Sequence, residues 1–476
     1  MKTMALQTAT IIGSGPNGLA AAITLAQRGV AVTVYERNAR LGGACSTGEV
    51  TLPGFHHDLG SSVYPLGVCS PFFTSLPLAE HGLRWIEPEA PLAHPLDDGS
   101  ALTLEHSLEW TAEQLGSHDA RAWRTLLAST VRDWPKVVED AMRPLLGVPR
   151  HPAALATFGA AAMMPAQVLA RSVFQGERAR TLFAGCAAHS VLPLTKVASS
   201  APGLLLAGAA HATGWPIADG GAQSLTAALA SYLKSLGGSI LCDAEVNDLS
   251  QIEDSDVTLF DTSVEAMARI AGDSLSPSYV ARLRSFRRGP GIFKLDWALS
   301  EPTPWANAEC ARAATVHLGG SLEEIAASEA AMFYGKSCEK PFVLLVQPSL
   351  FDASRAPEDK HTAWAYCHVP NGSDVDMTAA VEAQVERFAP GFGDVVLARR
   401  ASNAAALEAW NPNLVGGDVS GGAMTLSGLM ARPTMRLYRT SNAKLYLCSS
   451  STPPGGGVHG MCGYWAALAA LEDFTP

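Results

Sequence analysis

The chain has 476 residues, 47% of them hydrophobic and 17% charged, with a formal net charge of −11. That is enough apolar material for a large core and two or three domains, and the acidic balance, with no basic tract, argues against nucleic acid as a partner and against charge-driven binding to anionic membranes. The nine scattered cysteines form no CxxC pair and no zinc-finger spacing with histidine, so they read as reduced thiols of a cytoplasmic protein and exclude a dithiol disulfide reductase.

Residues 9–12 form an apolar strand that runs into Gly13-Ser14-Gly15-Pro16-Asn17-Gly18. In such a turn Gly13 permits the tight bend, Gly15 lets the backbone approach a pyrophosphate, and Gly18 lets the helix pack close to the strand. A helix over 17–28 aims its free N–H groups and dipole at the phosphates. A second strand over 30–35 ends in Glu36, placed to accept hydrogen bonds from a ribose. Strand, glycines, helix, strand and acid in this order and spacing predict a dinucleotide-binding βαβ unit. The stretch 9–26 is apolar enough to imitate a signal peptide, but its glycines, with only Lys2 before it, argue otherwise.

Beyond the acid, Arg37-Asn38-Ala39-Arg40-Leu41-Gly42-Gly43 adds basic residues and a glycine pair, and Phe55-His56-His57-Asp58-Leu59-Gly60-Ser61 extends the pattern. Short strands are predicted at 83–86 and 101–104, then one long amphipathic helix over 118–146. The uncharged, Ala-rich stretch 152–170 is predicted as a buried or pocket-lining helix; a face that docks to membrane or admits a greasy substrate is the alternative, and a membrane span the weakest reading. After Gly214-Trp215-Pro216 come a helix over 222–236 stopped by Gly237-Gly238, a strand at 239–242, Glu245-Val246 and a strand at 256–261. Residues 280–430 alternate apolar runs and turns, giving strands at 291–299, 331–334, 341–347 and 362–368 and a covering helix over 378–388. A last strand at 445–448 leads into Ser449-Ser450-Ser451-Thr452-Pro453-Pro454-Gly455-Gly456-Gly457-Val458-His459-Gly460, which opens a final helix reaching about residue 471.

In these features the chain resembles the FAD-dependent desaturases and amine oxidases, and within them the phytoene desaturase-related group with its bacterial and mitochondrial members. The resemblance rests on the Arg37 to Gly43 extension, the C-terminal glycine block, Asn411-Pro412-Asn413 with Gly416-Gly417-Asp418, Ala188-His189-Ser190-Val191-Leu192-Pro193, and Gly214-Trp215-Pro216, and it spans nearly the whole chain. Many members carry Gly-x-Gly-Thr-His-Pro where this chain has Ser449 to Pro454, so the contacts of those glycines do not transfer atom by atom. The resemblance implies an α/β chain with a glutathione-reductase-like Rossmann FAD domain. That domain is discontinuous, built from residues 1–65, 214–275 and 436–476, with an inserted α+β substrate domain in 66–213 and 276–435. The interval 246–257 is short, which predicts that the hairpin or meander usual in relatives is trimmed away.

The residues expected to hold FAD are Gly13, Gly15, Pro16, Asn17, Gly18, Glu36, Arg37, Arg40, Gly42, Gly43, Ser61, Val246, Ser450, Gly456, Gly457 and Val458. The C-terminal glycines would aim backbone N–H groups at the flavin edge that gains negative charge on accepting hydride. His459, Trp215, His189 and His211 are the candidates for the catalytic wall; each also has a structural reading, and none is assigned as a general base. No metal-ligand cluster stands out. A second glycine fingerprint for NAD(P)H is missing, so the expected electron acceptor is oxygen or a quinone. The implied reaction removes hydride and a proton from a C–C bond of an apolar small molecule, in a tunnel lined by Met163, Met164, Leu169 and Phe174. The alternatives are amine oxidation, with Trp215, Tyr464 and Trp465 as weak candidates for an aromatic cage, double-bond saturation or isomerisation, and an FAD-bearing interaction protein without turnover. A cytoplasmic protein is expected, with peripheral membrane contact and homo-oligomerisation left open.

Overall fold

The computed structural model describes residues 6–145 and 147–474; Lys2, Leu146 and the extreme ends of the expected FAD domain lie outside the described residues. Two sheets organise the chain. The first is a five-stranded parallel sheet in the order Leu445–Leu447, Val257–Phe260, Thr8–Ile12, Ala31–Tyr35, Ser239–Leu241. Its strands come from three separated stretches of chain, and Ile11 is flanked in register by Val34 on one side and Leu259 on the other. The central strands are buried on both faces, as expected for a parallel sheet covered by helices. Helices Pro16–Ala26, Ala222–Ser235 and Met461–Phe474 pack together beside it.

Gly13 makes the turn out of the first strand with φ +102°, a conformation open to glycine at little cost. Pro16 starts the helix, where its missing N–H costs nothing. Between Ser239–Leu241 and Val257–Phe260 the described chain holds only turns and a 3-10 turn at Leu249–Gln251, capped by Asp248, so the trimmed edge is as expected. Glu245-Val246 forms no strand; Val246 is instead buried against the sheet.

The second sheet has seven strands in the order Val396–Ser402, Gly291–Leu299, His361–Val369, Val343–Val346, Ala313–Leu318, Ala90–Pro95, Ala101–Leu104. Only the Ala313–Leu318 and Ala90–Pro95 pair is parallel. Side chains alternate between its faces. Phe293, Leu295, Trp297, Val316, Leu345 and Ala365 share a core with Val381, Val385 and Phe388 of helix Thr378–Phe388. The other face carries a cross-strand row of Thr315, Val346, Trp364 and Asp296, and beside it a row of His317, Leu344, Tyr366 and Lys294. A fold of two layers, one nucleotide-type and one mixed, thus presents this second face to the space between them.

Several expected elements are corrected. Residues 331–334 end the helix Leu322–Phe333, whose start is capped by Ser321 and whose buried side is Leu322, Ile325 and Met332. Strands Ala90–Pro95, Ala313–Leu318 and Val396–Ser402 add to the expected set. The expected helix over 118–146 is two, Ser117–Arg132 and Trp134–Ala141, broken where Pro135 removes a donor. The stretch 152–170 is also two helices, Pro152–Ala162 and Ala166–Val173, bent by 92° at the Pro165 break. Only Phe158 and Ala162 of the first are buried, so it is no buried helix. Among the described residues no single helix is long and apolar enough to cross a membrane. All nine cysteines are free.

Candidate active site

A continuous cavity of about 580 Å³ runs from the glycine turn to the polar face of the seven-stranded sheet, within the size range of small-molecule sites. Of the residues expected to hold the cofactor, Gly13, Gly15, Pro16, Asn17, Glu36, Arg37, Gly43, Ser61, Val246, Ser450, Gly456, Gly457 and Val458 line it. Gly18 and Gly42 stand behind the wall: Gly18 N donates to Asp261 Oδ2 at 2.9 Å, and Gly42 N donates to Ser14 Oγ at 3.1 Å. Arg40 is not part of the wall; its exposed side chain reaches toward the Thr47 carbonyl at 3.4 Å.

Glu36 is 4% exposed. Its Oε2 accepts from Ser14 N at 3.1 Å and Ser14 Oγ at 2.6 Å, and its Oε1 accepts from the backbone N and Nδ2 of Asn38, both at 2.9 Å. A carboxylate has about four acceptor positions, so a ribose would displace Ser14 Oγ or Asn38 Nδ2. Asn17 Oδ1 is buried in the cavity wall with no partner. A Cβ on Gly15 would sit 2.5 Å from Asp261 Oδ2, so the turn is closed to any side chain there. A side-chain-free turn at a helix start, an unpaired acceptor and a buried acid at the second strand fit a dinucleotide.

At the opposite end the glycine run is a loop, and the final helix begins only at Met461. Its N–H groups therefore belong to the loop that faces the cavity through Gly456, Gly457 and Val458. His459 lines the cavity but is 2% exposed, and its Nδ1 accepts from Met461 N at 3.0 Å. Burial pushes its pKa down to about 4, so the ring is neutral and caps the helix.

Beyond this loop the walls are apolar, built from Val191, Leu205, Leu206 and Trp215 together with Ile292, Leu344, Val346 and Trp410. Trp364 and Tyr366, on alternate positions of one strand, stack with ring centroids 6.0 Å apart and 14° between planes. His189 lines the same space, its Nε2 3.0 Å from His317 Nε2, and burial pushes its pKa down to about 3. Trp215 is fixed by donating from Nε1 to the Leu206 carbonyl at 3.1 Å.

His211 is set apart from the cavity; its Nε2 accepts from Trp123 Nε1 at 3.2 Å within the helical layer. Met163, Met164, Leu169 and Phe174 do not line the cavity either. Val138, Met142 and Pro202 from the helical layer line it instead. Tyr464 and Trp465 form no cage: Trp465 Nε1 donates to the Met142 carbonyl at 2.9 Å, and Tyr464 packs on Phe72.

Beside the stacked aromatics, on the same face of the sheet, lies a charge cluster that sequence reasoning passed over. Lys294 is 2% exposed, bonded to Asp296, with its ammonium 4.9 Å from the Trp364 ring centroid. Arg355 forms an ion pair with Asp58 at 2.8 Å, both 1% exposed, and Asp58 accepts from Ala222 N at 2.8 Å and from Ser62. Ser62 lines the cavity, so this pair braces the cavity wall from the substrate layer. Lysine and aspartate at alternate positions of the otherwise apolar run Gly291–Leu299 were the available signal.

The pattern for the NAD(P)-binding Rossmann-like domain family matches residues 11–71. Over 98% of its length the chain is similar, at 26% identity, to the mouse (Mus musculus) pyridine nucleotide-disulfide oxidoreductase domain-containing protein 2, covering 93% of that protein. Its structure is similar to that of an oxidoreductase from Methanosarcina mazei, with a TM-score of 0.66 and 16% identity, covering 98% of this chain and 100% of the other. The chain has a discontinuous Rossmann-type FAD-binding fold with an inserted mixed α/β substrate domain. Cyclohexylamine oxidase from Brevibacterium oxydans shares this fold, with a TM-score of 0.59 and 15% identity, covering 98% of this chain and 99% of the other.

Proposed function

We propose that this protein is an FAD-dependent oxidoreductase that oxidises a largely apolar amine at the carbon beside nitrogen. The observation that carries the reading is the continuity of one cavity: a glycine cradle suited to a dinucleotide opens into an apolar chamber walled by Trp215, Trp364, Tyr366 and Trp410. The likeness to a cyclohexylamine oxidase supports amine over hydrocarbon as substrate. Bound flavin would supply the hydride acceptor, since cofactors carry such chemistry. Gly13 to Asn17, Glu36 and Val246 would hold its nucleotide half, and Gly456 to Val458 would present N–H groups to its other end. The stacked rings of Trp364 and Tyr366 would form part of the apolar wall against which the substrate's carbon frame packs. Neutral His189, backed by His317, is an imidazole of the wall that would hydrogen-bond a substrate.

C–C desaturation is the second reading. It is favoured by the carboxylates of the cavity wall: Glu36, Glu245 and Asp261 all belong to the nucleotide half, leaving no anion among the described residues of the apolar chamber to pair with an ammonium group. Anaerobic mixing of the yellow protein with primary and secondary amines of rising apolar bulk, and with unsaturated and saturated hydrocarbons, tests both. Amines should bleach the flavin, with air restoring the colour. Bleaching by hydrocarbon substrates alone would transfer the assignment to desaturation, and no bleaching by either class would remove it.

A further inference from the structure

Asp261 is the side chain in the nucleotide half with no obvious place there. It follows the strand Val257–Phe260, lines the cavity, and inserts its carboxyl group into the glycine turn. Its Oδ2 accepts from Gly18 N at 2.9 Å, and a Cβ would lie 2.5 Å from that oxygen if placed on Gly15 and 2.9 Å from it if placed on Gly18. The carboxyl group therefore occupies space next to the N–H groups that serve a diphosphate in a βαβ turn of this kind.

No side chain facing it carries a charge that would hold it ionised. Glu36 acts on it from the end of the second strand, and burial keeps the nearby thiols of Cys448 and Cys462 neutral. Asn413 bonds only its backbone carbonyl, at 3.3 Å. Arg37 and Arg269 line the cavity, but among the described residues no ion pair reaches Asp261, and Arg37 pairs with Glu245 instead. The backbone N–H groups of Gly15 and Gly18 are its favourable contacts. Burial, opposed by those N–H groups and reinforced by Glu36, already raises its pKa to about 7.

A diphosphate brings further negative charge to the same turn. Two like charges sharing a dry site push one of them toward its neutral form. We propose that Asp261 belongs to the dinucleotide site as a neutral carboxylic acid, so that binding of FAD takes up one proton from solvent onto this residue. The inference rests on the FAD reading above. The same turn can then offer an O–H donor to a phosphate oxygen where an ionised aspartate could only repel it.

The test is titration of the full chain, freed of flavin, with FAD across the range from mildly acid to mildly alkaline pH, by flavin fluorescence and by calorimetry in buffers of different ionisation enthalpy. Above the pKa of Asp261 the wild-type Kd should rise about tenfold per pH unit, with about one proton taken up per FAD. Asp261→Asn, which is neutral and nearly isosteric, should bind with a pH-independent Kd and take up no proton, exceeding wild type in affinity by at least about tenfold at alkaline pH. A wild-type Kd that is flat with pH, with no proton uptake, overturns the proposal, and this measurement needs no variant to fold. If the wild-type chain binds FAD at no pH, the cofactor reading falls and the proposal with it.

Discussion

Gly18 shows how tightly single residues shape the nucleotide half. A Cβ there would lie 2.1 Å from the Gly13 carbonyl oxygen, a backbone atom that cannot swing aside, and 2.9 Å from Asp261 Oδ2. Gly18→Ala should therefore move the whole turn. Overpacking of this kind costs about 1–3 kcal/mol, read by urea unfolding, and FAD affinity should fall by at least about tenfold because the displaced N–H groups no longer converge. Unchanged FAD binding in a folded Gly18→Ala protein would contradict the role given to the turn. The motif is legible in sequence because its chemistry is local: a strand, a bend without side chains and a helix start lie within one short run. Asp261 was not legible in that way, since its contact with Gly18 spans 243 positions and becomes visible only when the strands are in place.

At the scale of elements, the last helix depends on one close approach. A Cβ on Gly463 would sit 1.8 Å from the Asn17 carbonyl oxygen, so helices Met461–Phe474 and Pro16–Ala26 touch backbone to backbone there. Gly463→Ala should drive them apart, destabilising the protein by about 1–3 kcal/mol, with flavin binding weakened because Asn17 sits in the cavity wall. A substitution at Gly159, where no heavy atom lies within 4 Å of an added Cβ, is the control and should gain helix propensity instead. Apolar periodicity was a fair guide to the helices and to strands such as Gly291–Leu299, but it misassigned 331–334 and overlooked Ala313–Leu318. Both are short apolar runs, whose period alone does not separate a buried strand from part of a helix. The expected tunnel residues Met163, Met164, Leu169 and Phe174 stand away from the cavity, a placement that composition does not encode.

At the scale of the molecule, buried charge joins the two layers. Burial pushes the Asp58 carboxyl upward, but Arg355 and the hydrogen bonds from Ala222 and Ser62 more than offset this, and its pKa lies below the usual range. Removing one partner of such a pair leaves the other buried and uncompensated, so Arg355→Ala should cost about 3–5 kcal/mol, measured by denaturant unfolding. A loss below about 1 kcal/mol would mean the pair contributes no more than a surface bridge. Buried histidines set a second dependence. His57, His94, His211 and His459 are each pushed down to about 4, and His189 to about 3, by burial. Unfolded histidine titrates near 6.5, so the unfolded chain binds protons that the folded chain cannot. Their contribution is complete above that value and is lost as pH falls from about 6.5 toward 4. Urea midpoints measured at pH about 7.5 and about 5 should fall markedly in acid, and equal midpoints would contradict the neutral burial of these rings.

By itself the sequence determined the dinucleotide turn, the return of the chain for a second and third visit to that sheet, and the trimmed edge near residue 250. Each depends on local patterns of glycine, apolar run and charge. Tertiary structure alone decided which side chains meet in and around the cavity: Trp364 and Tyr366 as its stacked wall, His189 against His317, Lys294 and Asp296 beside the stacked rings, and Asp261 against the glycines. These residues lie tens to hundreds of positions apart, and a face of a sheet acquires its neighbours only through strand order and register. The chemistry of the chamber is set by that register.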